Sequence, residues 1–470
     1  MNLQRRQLCK YLTADLLASA AGWLAFNVYR YHMLGYAHFP SLKAYLTWRD
    51  IVVGQVLGPL LWVALFALSG YYSHCLLKSR VEELKTTLST VLVGTVVFFF
   101  AIVLNDLPTS PDYYFHLLGV MWCTEFGAVY LMRVLITSYA SRRVHDGRWG
   151  YNTLVIGTGS NARRLLAEMA GKRQKLGYLV RGCVATAPDR KPAKGLDVVG
   201  ELENLDRLVR DYRIEHFIFA PDTQSEAELY AVIARLYRYG LPVRIYASKH
   251  DIIAGRVRMQ SLYDAPMIDV SRGSLTPLQA NLKRLTDIGA SLLALTLLSP
   301  LYALLALVVR LDSPGPVIFR QERIGRWGRP FSILKFRSMR VDAEQGGPLL
   351  SHEGDSRITR TGRFMRKYRL DELPQFLNIL RGEMSLVGPR PERAVFIEQI
   401  ERQAPYYCLV HQVLPGLTSW GMVKYGYAST VEEMVERLQY DLIYLENMSP
   451  AVDCKILIYT VRTVLTGQGI

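Results

Sequence analysis

The sequence predicts a multidomain membrane protein: an N-terminal four-helix transmembrane bundle, a Rossmann-like α/β module, and a C-terminal α/β-type domain carried on a broken, re-entrant membrane helix. Three observations predict it. Four apolar stretches crowd the first 150 residues, short apolar strands then alternate with helices, and a fifth apolar stretch near 300 is interrupted by Ser-Pro between basic flanks. The 470 residues carry a formal net charge of +15, yet half of them are hydrophobic. That length suggests two or three domains. Positive charge joined to high apolarity points to anionic lipid or an anionic substrate. No RRM, zinc-finger or helix-turn-helix signature is present, so no nucleic-acid partner is expected.

The four stretches, Leu8–Val28, Ile51–Tyr72, Leu88–Leu104 and Tyr113–Tyr139, are each near the ~20 residues a spanning helix needs. Glu125 and Arg133 in the fourth are expected to face the bundle or snorkel at its end. Arg5, Arg6 and Lys10 precede the first stretch, Lys78, Arg80 and Lys85 separate the second from the third, and Arg142, Arg143 and Arg148 follow the fourth. The connection 105–112 has no lysine or arginine and is expected outside. Arg30, Lys43 and Arg49 in the first connection run against that distribution. Four spans with both ends cytoplasmic satisfy most of it. The six cysteines form no CxxC pair and read as reduced packing residues. No small-residue cleavage site follows the first apolar stretch, so no removable signal peptide is expected.

NTLVIGTGSNARRLLAEM, from Asn152, reads as strand, glycine turn and helix, with later strands in HFIFAPD and LPVRIYAS. Such alternation implies a parallel sheet. Gly157 and Gly159 begin a GxGxxA fingerprint whose amides could hold a nucleotide's phosphate. The acidic residue expected ~20 positions on is missing, because GCVATAP places Ala185 and Thr186 there. A nucleotide site and a purely structural or regulatory module both remain open.

Leu285–Val309 is 25 residues long, enough to span. Ser299-Pro300 interrupts it, and proline removes a helix hydrogen bond. Lys283 and Arg284 precede it; Arg310, Arg320 and Arg323 follow. Basic residues on both flanks favour both ends in the cytoplasm, which a re-entrant helix-break-helix satisfies.

Beyond it, Asp371 and Glu372 open a predicted helix with Pro374 in its first turn, after Arg357, Arg360, Arg363, Arg366 and Arg369. Steps of three drift by about 60° around an α-helix, spreading a basic surface. Arg360 and Arg363 read as solvated or headgroup-facing. Arg366 and Arg369 lie within two turns of the carboxylates, where a diphosphate needs neutralisation. A helix N-terminus would lower the Asp371 pKa and favour an incoming phosphate. A carboxylate there can be a nucleophile at phosphorus or a ligand to Mg²⁺ bridging phosphate oxygens. Neighbours on a helix point about 100° apart, so split roles are expected.

KFRSM (335–339), LDELPQFLNILRGEMSLVGPRPE (370–392) and PGLTSW (415–420), placed behind a Ser-Pro break, resemble the bacterial monotopic phosphoglycosyl transferases. These are the polyprenyl-phosphate hexose-1-phosphate transferases that initiate surface glycan synthesis. The resemblance covers roughly 277–470. The bundle and the Rossmann-like module in front resemble the large members, of the undecaprenyl-phosphate glucose or galactose phosphotransferase type. It implies four transmembrane helices over 1–145, a CoA-binding-like module over 146–250, a linker over 251–276 and the catalytic domain over 277–470, with its re-entrant helix at 283–310.

By that resemblance Asp371 attacks the β-phosphorus of a UDP-hexose, releases UMP and passes the sugar phosphate to undecaprenyl phosphate. Glu372 assists or binds Mg²⁺ with Asp371. Arg366, Lys335, Arg337 and the Pro389-Arg390-Pro391 turn bind substrate. Lys283 and Arg284 anchor the hairpin at the headgroups, and Ser299 and Pro300 break it. The expected setting is the bacterial inner membrane, with the catalytic domain facing the cytoplasm, and a homodimer is admitted. Leu414 replaces an arginine that many members carry before Pro-Gly, with Lys424 or His411 expected to substitute. Ser419 replaces a glycine, and Trp420 reads as packing. Two rivals are an inactive membrane scaffold, opposed by the intact carboxylate pair, and a nucleotide-sugar oxidoreductase, opposed by the missing ribose acid.

Overall fold

A computed structural model describes residues 3–466 apart from 34–37, 74, 77, 79, 102–111, 172–176, 187–192, 223–224, 248–266, 272, 342, 344–349 and 351–354. All but the last residue of the expected outer connection 105–112, and 251–266 of the expected linker, lie outside the described residues. The chain forms two compact units, one mainly of residues 1–151 and one mainly of residues 152–470.

The first unit is helical: α1 (Leu3–Met33), α2 (Leu42–Leu46), α3 (Arg49–Leu68), α4 (Arg80–Ala101) and α5 (Asp112–His145). By length and composition α3, α4 and α5 can each cross a membrane. The 31-residue α1 is long enough but carries Gln7, Asp15 and Asn27 on its buried face. Asp15 and Asn27 have partners, Asn27 donating to Gln55 at 3.2 Å. Arg133 of α5 donates to both Asp15 oxygens at 2.8 and 2.7 Å and to Thr87 of α4 at 2.9 Å, so one guanidinium ties three helices. Ser19 donates to Glu125 at 2.5 Å. Both charges of the fourth predicted stretch thus face the interior, as a low-dielectric surround requires. Gly94 is needed where α4 meets α3, since a Cβ there would lie 2.1 Å from the Trp62 ring.

In the second unit, β1 (Tyr151–Ile156), α6 (Ser160–Gly171), β2 (Tyr178–Ala185), β3 (Val198–Glu201), α7 (Leu205–Asp211), β4 (His216–Phe219), α8 (Glu226–Tyr237), β5 (Val243–Tyr246) and β6 (Met267–Asp269) build a six-stranded sheet. Its order is β3-β2-β1-β4-β5-β6, with only β6 antiparallel. Strands buried on both faces, such as β1 and β4, read as near-continuous apolar runs.

The apolar stretch near 300 forms α9 (Pro277–Leu297) and α10 (Ser299–Asp312), bent by 64° at Leu298. Pro300 sits in the first turn of α10, where its missing N–H costs nothing. Then follow the antiparallel hairpin β7 (Ile318–Ile324) and β8 (Pro330–Phe336), α11 (Arg360–Lys367), α12 (Gln375–Arg381), β9 (Ser385–Val387), α13 (Ala394–Gln403), β10 (Gly416–Thr418), α14 (Trp420–Lys424), α15 (Val431–Glu446) and α16 (Pro450–Leu465). This part is helix-rich, with two two-stranded ladders, β7–β8 and the parallel pair β9–β10.

Candidate active site

Helix α11 starts on Thr359, whose hydroxyl accepts from the Gly362 amide at 3.0 Å. Gly362 lets the helix press onto β8's continuation, because a Cβ would lie 2.0 Å from the Ser338 carbonyl. Arg369 then takes a left-handed backbone (φ 53°), turning the chain into a 3-10 turn, Leu370–Glu372. A helix N-terminus beside Asp371 was the expected source of its electrostatics. The pair instead precedes the seven-residue α12, and side-chain cations set the local field.

Asp371 and Glu372 are each 6% exposed. Glu372 holds three cations: Oε1 accepts from Lys335 of β8 at 2.9 Å and Arg390 at 3.1 Å, and Oε2 from Arg369 at 3.4 Å. Asp371 has no hydrogen bond or ion pair with any described residue. Burial raises the Asp371 pKa, Lys335 opposes that, and the neighbouring Glu372 charge adds to it. Burial also pushes Glu372 upward, but Lys335, Arg390 and Arg369 outweigh it and hold its carboxyl well below the usual range. The expected division of roles thus has a physical basis. One carboxylate organises three cations, and the other is left free among them.

The remaining predicted residues divide. Arg366 donates to Ser338 Oγ at 2.9 Å and lowers the pKa of Asp371. Arg390 also touches Met422 Sδ at 3.2 Å. The Pro389 carbonyl accepts from Gly416, and the Pro391 carbonyl from Arg323 at 3.2 Å, which holds the turn between β10 and β7. Arg337 is not brought to the carboxylates. Its guanidinium lies on the Val309 and Ser313 carbonyls, closing the end of α10. Arg357 pairs with Asp355 at 2.6 Å, while Arg360 and Arg363 are exposed.

Lys283 and Arg284, expected at lipid headgroups, end on protein. Lys283 donates to the Val387 carbonyl at 2.8 Å and to Asp453 at 2.6 Å; Arg284 donates to the Ile379 and Leu380 carbonyls at 2.7 and 3.0 Å, capping α12. Asp287 accepts from the Leu386 amide at 3.0 Å, and the Tyr302 hydroxyl donates to the Leu373 carbonyl at 2.7 Å. The bent pair is therefore bonded to the elements that carry the site. Ser299 Oγ turns back to the Thr296 carbonyl at 2.8 Å, at the break.

His411 does not supply the cation missing at Leu414. Burial pushes its pKa down to about 4, leaving it neutral at pH 7, and its Nε2 is sealed without a partner. Lys424 is exposed, with its ammonium 5.3 Å from the centroid of Trp420, which packs on the core.

Reading the sequence missed Glu392, which is 4% exposed and accepts from Arg323 of β7 at 3.1 Å and Arg437 of α15 at 2.7 Å. It ends the same GPRPE run as Arg390, and a buried acid there needs paired cations. Arg323 was legible only as one basic residue among many after the broken helix.

Mg²⁺ normally takes one or two carboxylates together with substrate phosphates. Asp371 has both oxygens to offer, whereas Glu372, expected as a second ligand, already spends Oε1 on Lys335 and Arg390 and turns Oε2 toward Arg369 at 3.4 Å. The donor set fits a cation shared between Asp371 and a phosphate. No cluster of three or more His, Cys, Asp or Glu stands together among the described residues.

In the module, Gly157 (φ 123°) packs on the Ala220 carbonyl, and a Cβ on Gly159 would lie 2.1 Å from an Asp222 oxygen. Asp222 Oδ1 accepts from the Asn161 amide at 2.9 Å and Ser160 Oγ at 3.0 Å. The two glycines expected to admit a phosphate admit a backbone carbonyl and an internal carboxylate.

Residues 278–467 match the family described as bacterial sugar transferase, and 67–247 match the CoA-binding domain. The chain is 30% identical over 403 residues to an undecaprenyl-phosphate glucose phosphotransferase of Komagataeibacter xylinus, covering 82% of this chain and 72% of the relative. It is 33% identical over 317 residues to the UDP-glucose:undecaprenyl-phosphate glucose-1-phosphate transferase of Escherichia coli, covering 66% and 68%. It is 40% identical over 250 residues to a UDP-N-acetylgalactosamine-undecaprenyl-phosphate N-acetylgalactosaminephosphotransferase of Aeromonas hydrophila, and there it spans only 58% of the relative's length. With both domains matched in order, the chain belongs to the polyprenyl-phosphate hexose-1-phosphate transferases of the large type.

Proposed function

We propose that the protein transfers hexose-1-phosphate from a UDP-hexose to undecaprenyl phosphate in two displacements. In the first, an Asp371 oxygen bonds to the β-phosphorus as the bond to the bridging oxygen breaks, and UMP leaves with that electron pair. In the second, a phosphate oxygen of undecaprenyl phosphate attacks the same phosphorus and frees the Asp371 carboxylate. The observation that carries this reading is a buried carboxylate without a partner, beside one that holds three cations. Arg366, Arg390 and Lys335 surround the place where diphosphate charge would be neutralised. A bound Mg²⁺ would be held by Asp371 and would supply further neutralisation of phosphate charge. Glu372 acts by positioning Lys335 and Arg390.

The same reading takes α1 as a fourth span and α9–α10 as re-entrant, with 1–145, 146–250, 251–276 and 277–470 as the divisions. The basic flanks favour a catalytic domain on the cytoplasmic face of the inner membrane. The bend of 64° and the bonds from Lys283, Arg284 and Tyr302 support a hairpin that keeps the nucleophile at headgroup depth. The reaction would be the first membrane step of exopolysaccharide, capsule or O-antigen synthesis. The relatives named above act on glucose or N-acetylgalactosamine donors, and both belong in the panel tested.

The test is UMP release across UDP-sugars with undecaprenyl phosphate, beside Asp371→Asn. Turnover is expected to fall by ~10⁴ or more, as nucleophile removal typically does. Incubation with donor alone is expected to leave a phosphohexose on the Asp371 peptide. Product formation without that adduct rules out the covalent route, and no UMP from any donor favours the scaffold reading.

A further inference from the structure

Within the second unit the Rossmann-like module grips two pieces of the catalytic core. The first is the β7–β8 turn. Its tip, Trp327, is held at φ 63°, a strain on the order of 1–3 kcal/mol that persists only when the surroundings impose it. The surroundings here belong to the module. Trp327 packs edge-on against Tyr237 of α8 (centroids 5.6 Å) and joins the module's apolar core. Arg329 lies against Gly240, where a Cβ would come within 3.1 Å of the guanidinium.

The second piece is the 3-10 helix Pro405–Gln412. Three residues per turn set 406 and 409 on one edge and 407 and 410 on another. Tyr406 meets Tyr230 of α8 at 6.1 Å, and Leu409 and Cys408 pack in the module's core. Tyr407 and Val410 face the other way and line a cavity with Pro389 and Arg390. Arg326 of the first piece donates to the Gln412 carbonyl of the second at 3.1 Å.

Both pieces lead to the site. From the hairpin, Arg323 reaches Pro391 and Glu392, and Lys335 reaches Glu372. The helix shares the wall of a cavity with Arg390. We propose that the module acts on the reaction as a mechanical clamp: by holding Trp327 and 405–412 it keeps Lys335, Arg323 and Arg390 in register with the carboxylate pair, with no nucleotide bound in its glycine turn. Asp222 already occupies the amide and hydroxyl that a phosphate would need, and Ala185 and Thr186 stand where a ribose would need an acid. The residues present do not fit a CoA or dinucleotide phosphate.

The effect on turnover rests on the donor-binding roles proposed above; the clamp itself does not. Trp327→Gly removes the ring and relieves the left-handed backbone, which offsets part of the lost packing. In the full chain in nanodiscs, amide hydrogen exchange is expected to quicken severalfold in peptides covering 330–336 and 388–392, with 277–297 unchanged. The KM for the UDP-sugar is expected to rise about tenfold, as misplaced positioning groups cause, with the KM for undecaprenyl phosphate unchanged. Tyr230→Ala is expected to act in the same direction through 405–412. Millimolar CoA or NAD is expected to alter neither readout. Unchanged exchange in both variants overturns the clamp whatever the activity does. A response to CoA or NAD overturns its nucleotide-free character. Faster exchange with an unchanged donor KM upholds the clamp and refutes the donor-binding roles of Lys335 and Arg390.

Discussion

Neutralising the two adjacent carboxylates one at a time is expected to move thermal stability in opposite directions. Glu372→Gln leaves Lys335 and Arg390 buried without their counter-charge, at contacts of 2.9 and 3.1 Å. Removing one partner of a buried pair costs about 3–5 kcal/mol. At roughly 2–4 °C per kcal/mol for a unit of this size, the midpoint falls on the order of 10 °C. Asp371→Asn breaks no such contact and removes a charge that burial disfavours, so its midpoint holds or rises. The pH dependence has matching signs. Glu372, depressed in the folded state, contributes stability that is present above its unfolded pKa and is lost as pH falls through the folded one. Asp371, raised in the folded state, costs stability at neutral pH and stops doing so as it protonates. Scanning fluorimetry of the wild type and both variants in detergent reads all of this when run at pH 7, near pH 5 for the Asp371 effect, and below about pH 4, where the Glu372 contribution is lost. If Asp371→Asn falls as far as Glu372→Gln at pH 7, the free carboxylate is not free and the division of roles fails.

Three further outcomes are expected. Because the Asp371 pKa is raised and its anion is the attacking form, UMP release should climb with pH on a limb lying above an ordinary aspartate; a limb at or below the ordinary value contradicts the assignment. Gly362→Ala forces a Cβ to within 2.0 Å of the Ser338 carbonyl, which should cost about 1–3 kcal/mol and slow UMP release by displacing Arg366; unchanged melting and rate would show that α11 is not pressed there. Arg133→Gln leaves Asp15 buried without its counter-charge, still accepting from the Tyr72 hydroxyl at 2.7 Å, a loss of about 3–5 kcal/mol, and adding Asp15→Asn should restore most of it. A double variant no better than the single, by detergent-resistance half-life, would separate the two residues.

Motif residues and element types were the most legible features. Apolar length set the N-terminal helices, and period and turn chemistry set β1, α6 and the later strands, because those signals are local. The carboxylate pair was legible because its neighbours in sequence are also its neighbours in space. What escaped was long-range. Lys283 and Arg284 read as a basic collar, yet their acceptors at 379, 380, 387 and 453 lie far along the chain. Arg337 shares a motif with Lys335 but lies just past the end of β8, where its guanidinium closes α10 instead of reaching the carboxylates. The glycine turn misled for a related reason. Gly157 and Gly159 are required by close backbone approach, and the approaching group is Ala220 and Asp222 from the chain itself.

The bridge from Lys283 to Asp453 also sets an order of events during synthesis. Its ends are 170 positions apart, which at ~5–20 residues per second is roughly 10–30 s of translation. The Leu386 amide that Asp287 awaits emerges sooner, 99 positions after it. Until residues 379–387 are made, the groups that Lys283, Arg284 and Asp287 bond do not yet exist. In that window the segment has only its own break and flanking charges to guide it, and the catalytic fold closes onto a helix pair already made.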